Sequence, residues 1–265
     1  MKYAAVFFPL SLAMVSTVAA DRFITVVNAC SFPIWPAFFT ASGGQPEQPP
    51  GWEALPNTDL TFSTPDNWNG RVWGRRNCDF STNPGPNSCL TGGCNGGLVC
   101  NITTGTGVPP ATLATFDFSG DQDIYTVSVV DGTNLPISIT NTCACPFASC
   151  PVDLVTQCPP DLAGPFDSDG VPVGCKSACL VDALAGNPGN SSNCCTGSFN
   201  SQSTCPTSGV EHYNYFKSSC PKSFVYPFDE SSGTAIFQCE KSCMTDQDVE
   251  YEVTFCPQAN GVTGL

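Results

Sequence analysis

Eighteen cysteines in a chain of 265 residues limit what this sequence can fold into more than any other feature, and all of them lie after residue 20. The first twenty residues, "MKYAAVFFPLSLAMVSTVAA", put Lys2 before an apolar run and end on small residues at the positions a signal peptidase reads. The mature chain is therefore expected to begin at Asp21 and to be secreted, either extracellular or held in the cell wall. The apolar run is short for a bilayer span, so no membrane association is expected. An even number of cysteines in an oxidising compartment reads as nine disulfides. Zinc would need all-thiolate sites, because the chain has one histidine, and an oxidising space works against these. No metal and no cofactor is expected.

Charge narrows the partners. Nine Lys and Arg stand against 23 Asp and Glu, a net charge of −14 that becomes −15 once Lys2 leaves with the leader. Such a field repels nucleic-acid backbones and anionic lipid, and leaves neutral ligands such as polysaccharides open. With 24 Gly, 24 Pro and only 12% charged residues, the fold must be rich in turns and covered by uncharged polar groups. Two sequons, "NIT" at Asn101 and "NSS" at Asn190, mark expected glycosylation sites on a secreted surface.

Short alternating or β-branched runs recur along the chain: "RFITVVNA", "DLTFSTP", "GRVWGR", "ATLATFDF", "IYTVSVVDG", "LPISIT", "GTAIFQC" and "VEYEVTFC". Separated by Gly, Pro, Asn and Asp clusters, they predict an all-β sandwich. Residues 21–77, 101–149 and 221–265 form its core, interrupted by a small disulfide-loop domain at 78–100 and a cysteine-dense insert at 150–220. The insert carries modest helical signals in "PVDLVTQC", "CKSACLVDALAG" and "VEHYNYFKSSC", with Cys175 and Cys179 spaced to share a helix face. Neither excursion has the apolar content to fold alone, so each needs covalent staples. Trp35, Trp52, Trp68 and Trp73 read as core rather than sugar platform, and His212 as structural.

The stretches "GRVWGRRNC", "CLTGGCNGGLVC", "VVDGTNLPISI", "CPVDLVTQCP", "NCCTGSFN", "TCPTSGVEHYNYFKSSCP" and "YEVTFCP" resemble, in order, the motifs of the thaumatin-like (pathogenesis-related type 5) proteins. The resemblance extends over essentially all of Asp21 to Pro257. It implies the bridges Cys30 with Cys256, Cys78 with Cys89, Cys94 with Cys100, Cys145 with Cys239, Cys150 with Cys220, Cys158 with Cys175, Cys179 with Cys194, and Cys195 with Cys205. Cys143 and Cys243 remain and flank an implied bridge, so a ninth between them follows.

The resemblance also implies an acidic cleft between the β core and the long insert, lined by one arginine, one glutamate and three aspartates. It places the arginine at Arg71 and two of the aspartates at Asp131 and Asp229, the expected catalytic pair. The other two acidic positions carry Thr115 and Thr126. Asp117, two residues beyond Thr115, and Asp123, expected in a turn, are candidate replacements. Hydrolysing a β-glucan needs one protonated acid and one carboxylate, so the loss of two acids shifts the expectation from turnover toward binding. The resulting expectation is a secreted monomer whose cleft binds β-1,3-glucan or another neutral wall polysaccharide. Weak endo-β-1,3-glucanase activity is the enzyme reading. A non-catalytic antifungal glucan binder, or an inhibitor of amylases or proteases, is the alternative.

Overall fold

The computed structural model describes residues 21–81, 84–243 and 249–258. The expected leader, residues 1–20, lies outside them. Among the described residues the first five strands are β1 (Arg22–Asn28), β2 (Trp35–Ser42), β3 (Thr58–Thr64), β4 (Asn69–Cys78) and β5 (Cys89–Thr91). They are followed by β6 (Leu113–Asp117), β7 (Gln122–Ser128), β8 (Ile137–Asn141), β9 (Ala148–Cys150), β10 (Phe237–Glu240) and β11 (Glu250–Phe255). One sheet has the order β3-β1-β11-β8-β9 and the other β10-β7-β6-β4-β2, with β5 pairing the end of β4. All pairings are antiparallel except β1 with β11, which joins the chain's first strand to its last.

Two-residue periodicity explains which faces meet. In β1 it sends Ile24 and Val26 inward, and in β11 Val253 and Phe255. The second sheet answers with Phe38, Val72, Phe116, Tyr125 and Val127, and these side chains form one buried cluster. Trp68 and Trp73 are fully buried and Trp35 and Trp52 half-buried. Three strands escape the sequence reading. β2 holds Pro36 and a mixed aromatic run, which a sheet edge tolerates. β5 and β9 are three residues each, too short to show a period.

All nine disulfides are present, with the partners the resemblance implies and with Cys143 bonded to Cys243. The 78–100 stretch is held by two of them and by Arg75, a fully buried side chain that no motif count had singled out. Its guanidinium donates to the carbonyl oxygens of Trp35, Pro36, Gly97 and Leu98, at 2.7–3.3 Å. Gly97, at φ +81°, turns its carbonyl to that donor from a conformation other residues resist.

In the insert, α1 (Ala178–Leu184) is capped by Ser177, whose side chain accepts from the Leu180 amide, and α2 (Tyr213–Ser219) ends at Cys220. "PVDLVTQC" forms turns instead of a helix. Cys175 lies before α1, bridged in β fashion to Thr133 and Ala163, so it does not share a helix face with Cys179. No helix among the described residues is long and apolar enough to cross a membrane.

Candidate functional site

The outward face of the second sheet carries a row of side chains fixed by strand register. Phe39 of β2 lies opposite Arg71 of β4, Arg71 opposite Thr115 of β6, and Thr115 opposite Thr126 of β7. The two threonine hydroxyls bond each other at 2.5 Å. Asp131 approaches from the turn after β7, in which the Gly132 amide donates to the Val129 carbonyl. Gly132 has φ +87°, and a Cβ there would stand 2.6 Å from the Cys175 carbonyl oxygen. Only glycine therefore lets this turn press against the insert, and the Thr133–Cys175 bridge locks the contact. The turn thus places Asp131 where core and insert meet.

Arg71 and Asp131 are both partly buried and feel one another. Burial raises the Asp131 pKa above the ordinary carboxylate range, and the Arg71 charge opposes that rise. Burial likewise holds Arg71 below its usual value, with Asp131 opposing. Among the described residues neither side chain makes a hydrogen bond, and they form no direct ion pair. The Arg71 Nε is buried with no acceptor, and the guanidinium lies 5.6 Å from the centre of the Phe39 ring. A planar donor fork and a carboxylate acceptor, both partly dehydrated and both unspent, suit a ligand carrying hydroxyl groups. No second carboxylate contributes to the Asp131 shift, whereas a working acid pair would drive the two pKa values apart.

The other expected acids are engaged by protein partners of their own. Asp229 is fully buried, and its carboxylate accepts from Lys217 Nζ at 2.9 Å, the Val225 amide at 3.0 Å and the Tyr213 hydroxyl at 3.3 Å. These contacts match its charge within the protein, and its side chain has no exposed surface. Asp123 is not in a turn. It is the second residue of β7 and points inward with Tyr125 and Val127, ion-paired to Arg22 at 2.8 Å and accepting from the Tyr251 hydroxyl at 3.1 Å. Burial raises its pKa against these partners, and it ties the two sheets together from inside. Asp117 shares the outward face with Thr115, but its Oδ1 accepts from the Ser119 amide and hydroxyl at the far end of β6. His212 pairs with the exposed Asp161 at 2.8 Å.

Asn101 and Asn190 are exposed. Their Oδ1 atoms accept from Thr103 and Thr104 amides and from Ser198, respectively. Sequence reasoning passed over Lys217, the residue that claims Asp229. A basic residue on a short helix twelve positions earlier gives no local signal of that pairing.

The family model "Thaumatin family" matches residues 28–257. A pathogenesis-related thaumatin-like protein 3.5 from Cryptomeria japonica is 37% identical over 91% of this chain and 92% of its own length. A glucan endo-1,3-beta-glucosidase from Prunus avium is 36% identical over 97% of this chain and all of its own. Among solved structures, a thaumatin-like xylanase inhibitor aligns with 88% of this chain and 99% of its own at 17% identity and a TM-score of 0.44. With the all-β fold, the nine bridges and a match across most of its length, this chain belongs to the thaumatin family.

Proposed function

We propose that this is a secreted protein of the thaumatin family whose cleft binds neutral β-1,3-glucan of cell walls without cleaving it. The observation that carries this reading is the unspent pair, Arg71 and Asp131, beside the hydroxyls of Thr115 and Thr126. Sugar hydroxyls can accept from the guanidinium and donate to the carboxylate, while hydrolysis would need a second acid, and two positions where the resemblance implies one carry Thr115 and Thr126. Asp131 and Arg71 are thus binding residues, and Thr115 and Thr126 contribute neutral hydroxyls in place of charge.

The test is retention of the mature chain on insoluble β-1,3-glucan, with soluble product assayed in the same tubes. Arg71→Met and Asp131→Asn should each lower retention about 10-fold, the scale of one hydrogen bond to a charged group. Unchanged retention in both variants refutes the assignment. Release of oligosaccharide by the natural chain would favour instead the endoglucanase activity that the name of the Prunus avium relative carries.

A further inference from the structure

Arg76 lies five residues beyond Arg71 on β4, about 16 Å away along the strand, at the end of the sandwich. Its guanidinium stacks 4.9 Å from the centre of the Phe32 ring and donates from Nη1 to the Asn134 carbonyl. Nε is buried without an acceptor, and Nη2 makes no hydrogen bond among the described residues. An arginine has five N–H donors, so most of this fork is unspent. Asp153 stands close enough to raise the Arg76 pKa but forms no direct ion pair with it. One Asp153 oxygen accepts from the Val155 amide, leaving the other without a protein donor among the described residues.

Phe32, Arg76 and Asp153 surround a hollow of about 220 Å³ whose remaining walls include Pro136, Pro151 and Pro257. That volume is below the roughly 300–1,000 Å³ of a site for a larger ligand, so it has room for one ring. The rim is fixed: Cys30 is bonded to Cys256, and the Asn28 side chain donates to the Phe32 carbonyl. Phe32 is 36% exposed, so part of the ring is open to a ligand.

We infer that this hollow is a second carbohydrate-binding site, which takes a single neutral hexose unit at a chain end or branch. A hexose has an apolar face that fits the Phe32 ring and the prolines, and a rim of hydroxyls that needs both a donor and an acceptor. Arg76 supplies the first and Asp153 the second. The lining charges of Arg76 and Asp153 cancel, and Asp167 adds a further negative charge near Arg76, so the hollow disfavours an anionic sugar. Two sites on one chain bind a polymer more tightly than either alone where it can span both.

The site can be tested separately from the cleft by following backbone amide signals of the mature chain during titration with laminarihexaose, cellohexaose and, as a charged control, hexagalacturonate. At least one neutral hexaose should shift the amides of Phe32, Arg76 and Asp153 at millimolar concentration. Phe32→Ala and Asp153→Asn, both at exposed positions, should weaken those shifts about 10-fold and leave shifts at Gly132 and Thr133 in place. Silence at residues 32, 76 and 153 with both neutral hexaoses overturns the inference, as does a response that survives both substitutions. Preference for hexagalacturonate also overturns it. Loss of shifts at Gly132 and Thr133 alone bears only on the cleft.

Discussion

Replacing Asp229 by asparagine separates a structural acid from a binding one. The substitution keeps size and an acceptor oxygen but removes the charge that faces Lys217 at 2.9 Å, in a side chain with no exposure. Breaking a buried ion pair by removing one partner costs about 3–5 kcal/mol, because the other charge is stranded. Lys217 retains the Ser223 carbonyl at 2.9 Å and the Ser232 hydroxyl at 3.2 Å, which argues for the lower end. For a domain of this size, 1 kcal/mol moves Tm by about 2–4 °C, so a loss of about 3 kcal/mol corresponds to a fall of roughly 6–12 °C. Scanning calorimetry at one fixed rate on the natural chain, Asp229→Asn and the double variant Asp229→Asn/Lys217→Met measures it. The double variant should recover part of the loss, since the stranded ammonium is gone. Glucan retention measured well below the transition should be unchanged. A variant that melts with the natural chain and yet loses glucan retention would refute the reasoning and return Asp229 to the cleft.

Asp131→Asn should behave in the opposite way. Because the folded pKa of Asp131 is raised, its stability contribution is present at low pH and is lost as pH rises through that raised value. The asparagine variant should therefore gain stability relative to the natural chain as pH increases, while its glucan retention loses the rise with pH that ionisation of Asp131 gives the natural chain. Thermal scans and retention across acidic to neutral pH check both signs. The bridges Cys143–Cys243 and Cys145–Cys239 are redundant: once the second is closed, the first closes only about six further residues. Replacing Cys143 and Cys243 by serine should cost on the order of 2 kcal/mol, and removing both bridges should cost more than twice that in the chain-entropy model, as denaturant titration would show. Thr115→Glu with Thr126→Asp would set two carboxylates where hydroxyls now meet at 2.5 Å. One should stay protonated beside the other, and turnover with a bell-shaped acidic profile should appear in this variant alone. Equal turnover by the natural chain would contradict the binding assignment.

What could be read from the sequence depended on the range of the interaction involved. The cysteine count shows that the chain is stapled, but the partners were legible only through the motifs that resemble the thaumatin-like proteins, since count and spacing alone leave the connectivity open. Alternation over seven residues made β1 legible as well. Asp123 was within reach of the same logic, since it alternates with Tyr125 and Val127 and so shares their inward face. The turn residues Gly120 and Asp121 just before it draw the sequence reading toward a turn, whereas the strand already begins at Gln122. Asp229 was out of reach. Its partners come from α2 and from the Val225 backbone, and nothing in "YPFDES" reports a lysine folded over it. Thr115 and Thr126 could be named as departures, but their direct contact needed the register of β6 on β7.

The three arginines of β4 show why the residue type alone does not mark a site. Arg71 and Arg75 have the same parity along the strand and therefore point to the same side of the sheet. Arg75 lies where the 78–100 loop folds over that side, and its donors are used by four backbone carbonyls. With its charge buried and no carboxylate beside it, its pKa falls to about 10. It is a strut, and a ligand could reach it only by displacing the loop. Arg71 lies past the loop's edge, beside Thr115, where no carbonyl turns toward it. Arg76 has the other parity and emerges at the sandwich end with one donor spent. A charged group held half-buried without partners has an energetic cost. In the proposed binding roles a ligand's hydroxyls would meet the donors that Arg71 and Arg76 still have free, whereas Arg75 has spent its own on backbone carbonyls. It follows that Arg75→Met should expose the 78–100 loop to proteolysis, and that Arg71→Met should leave the loop as resistant as it is in the natural chain.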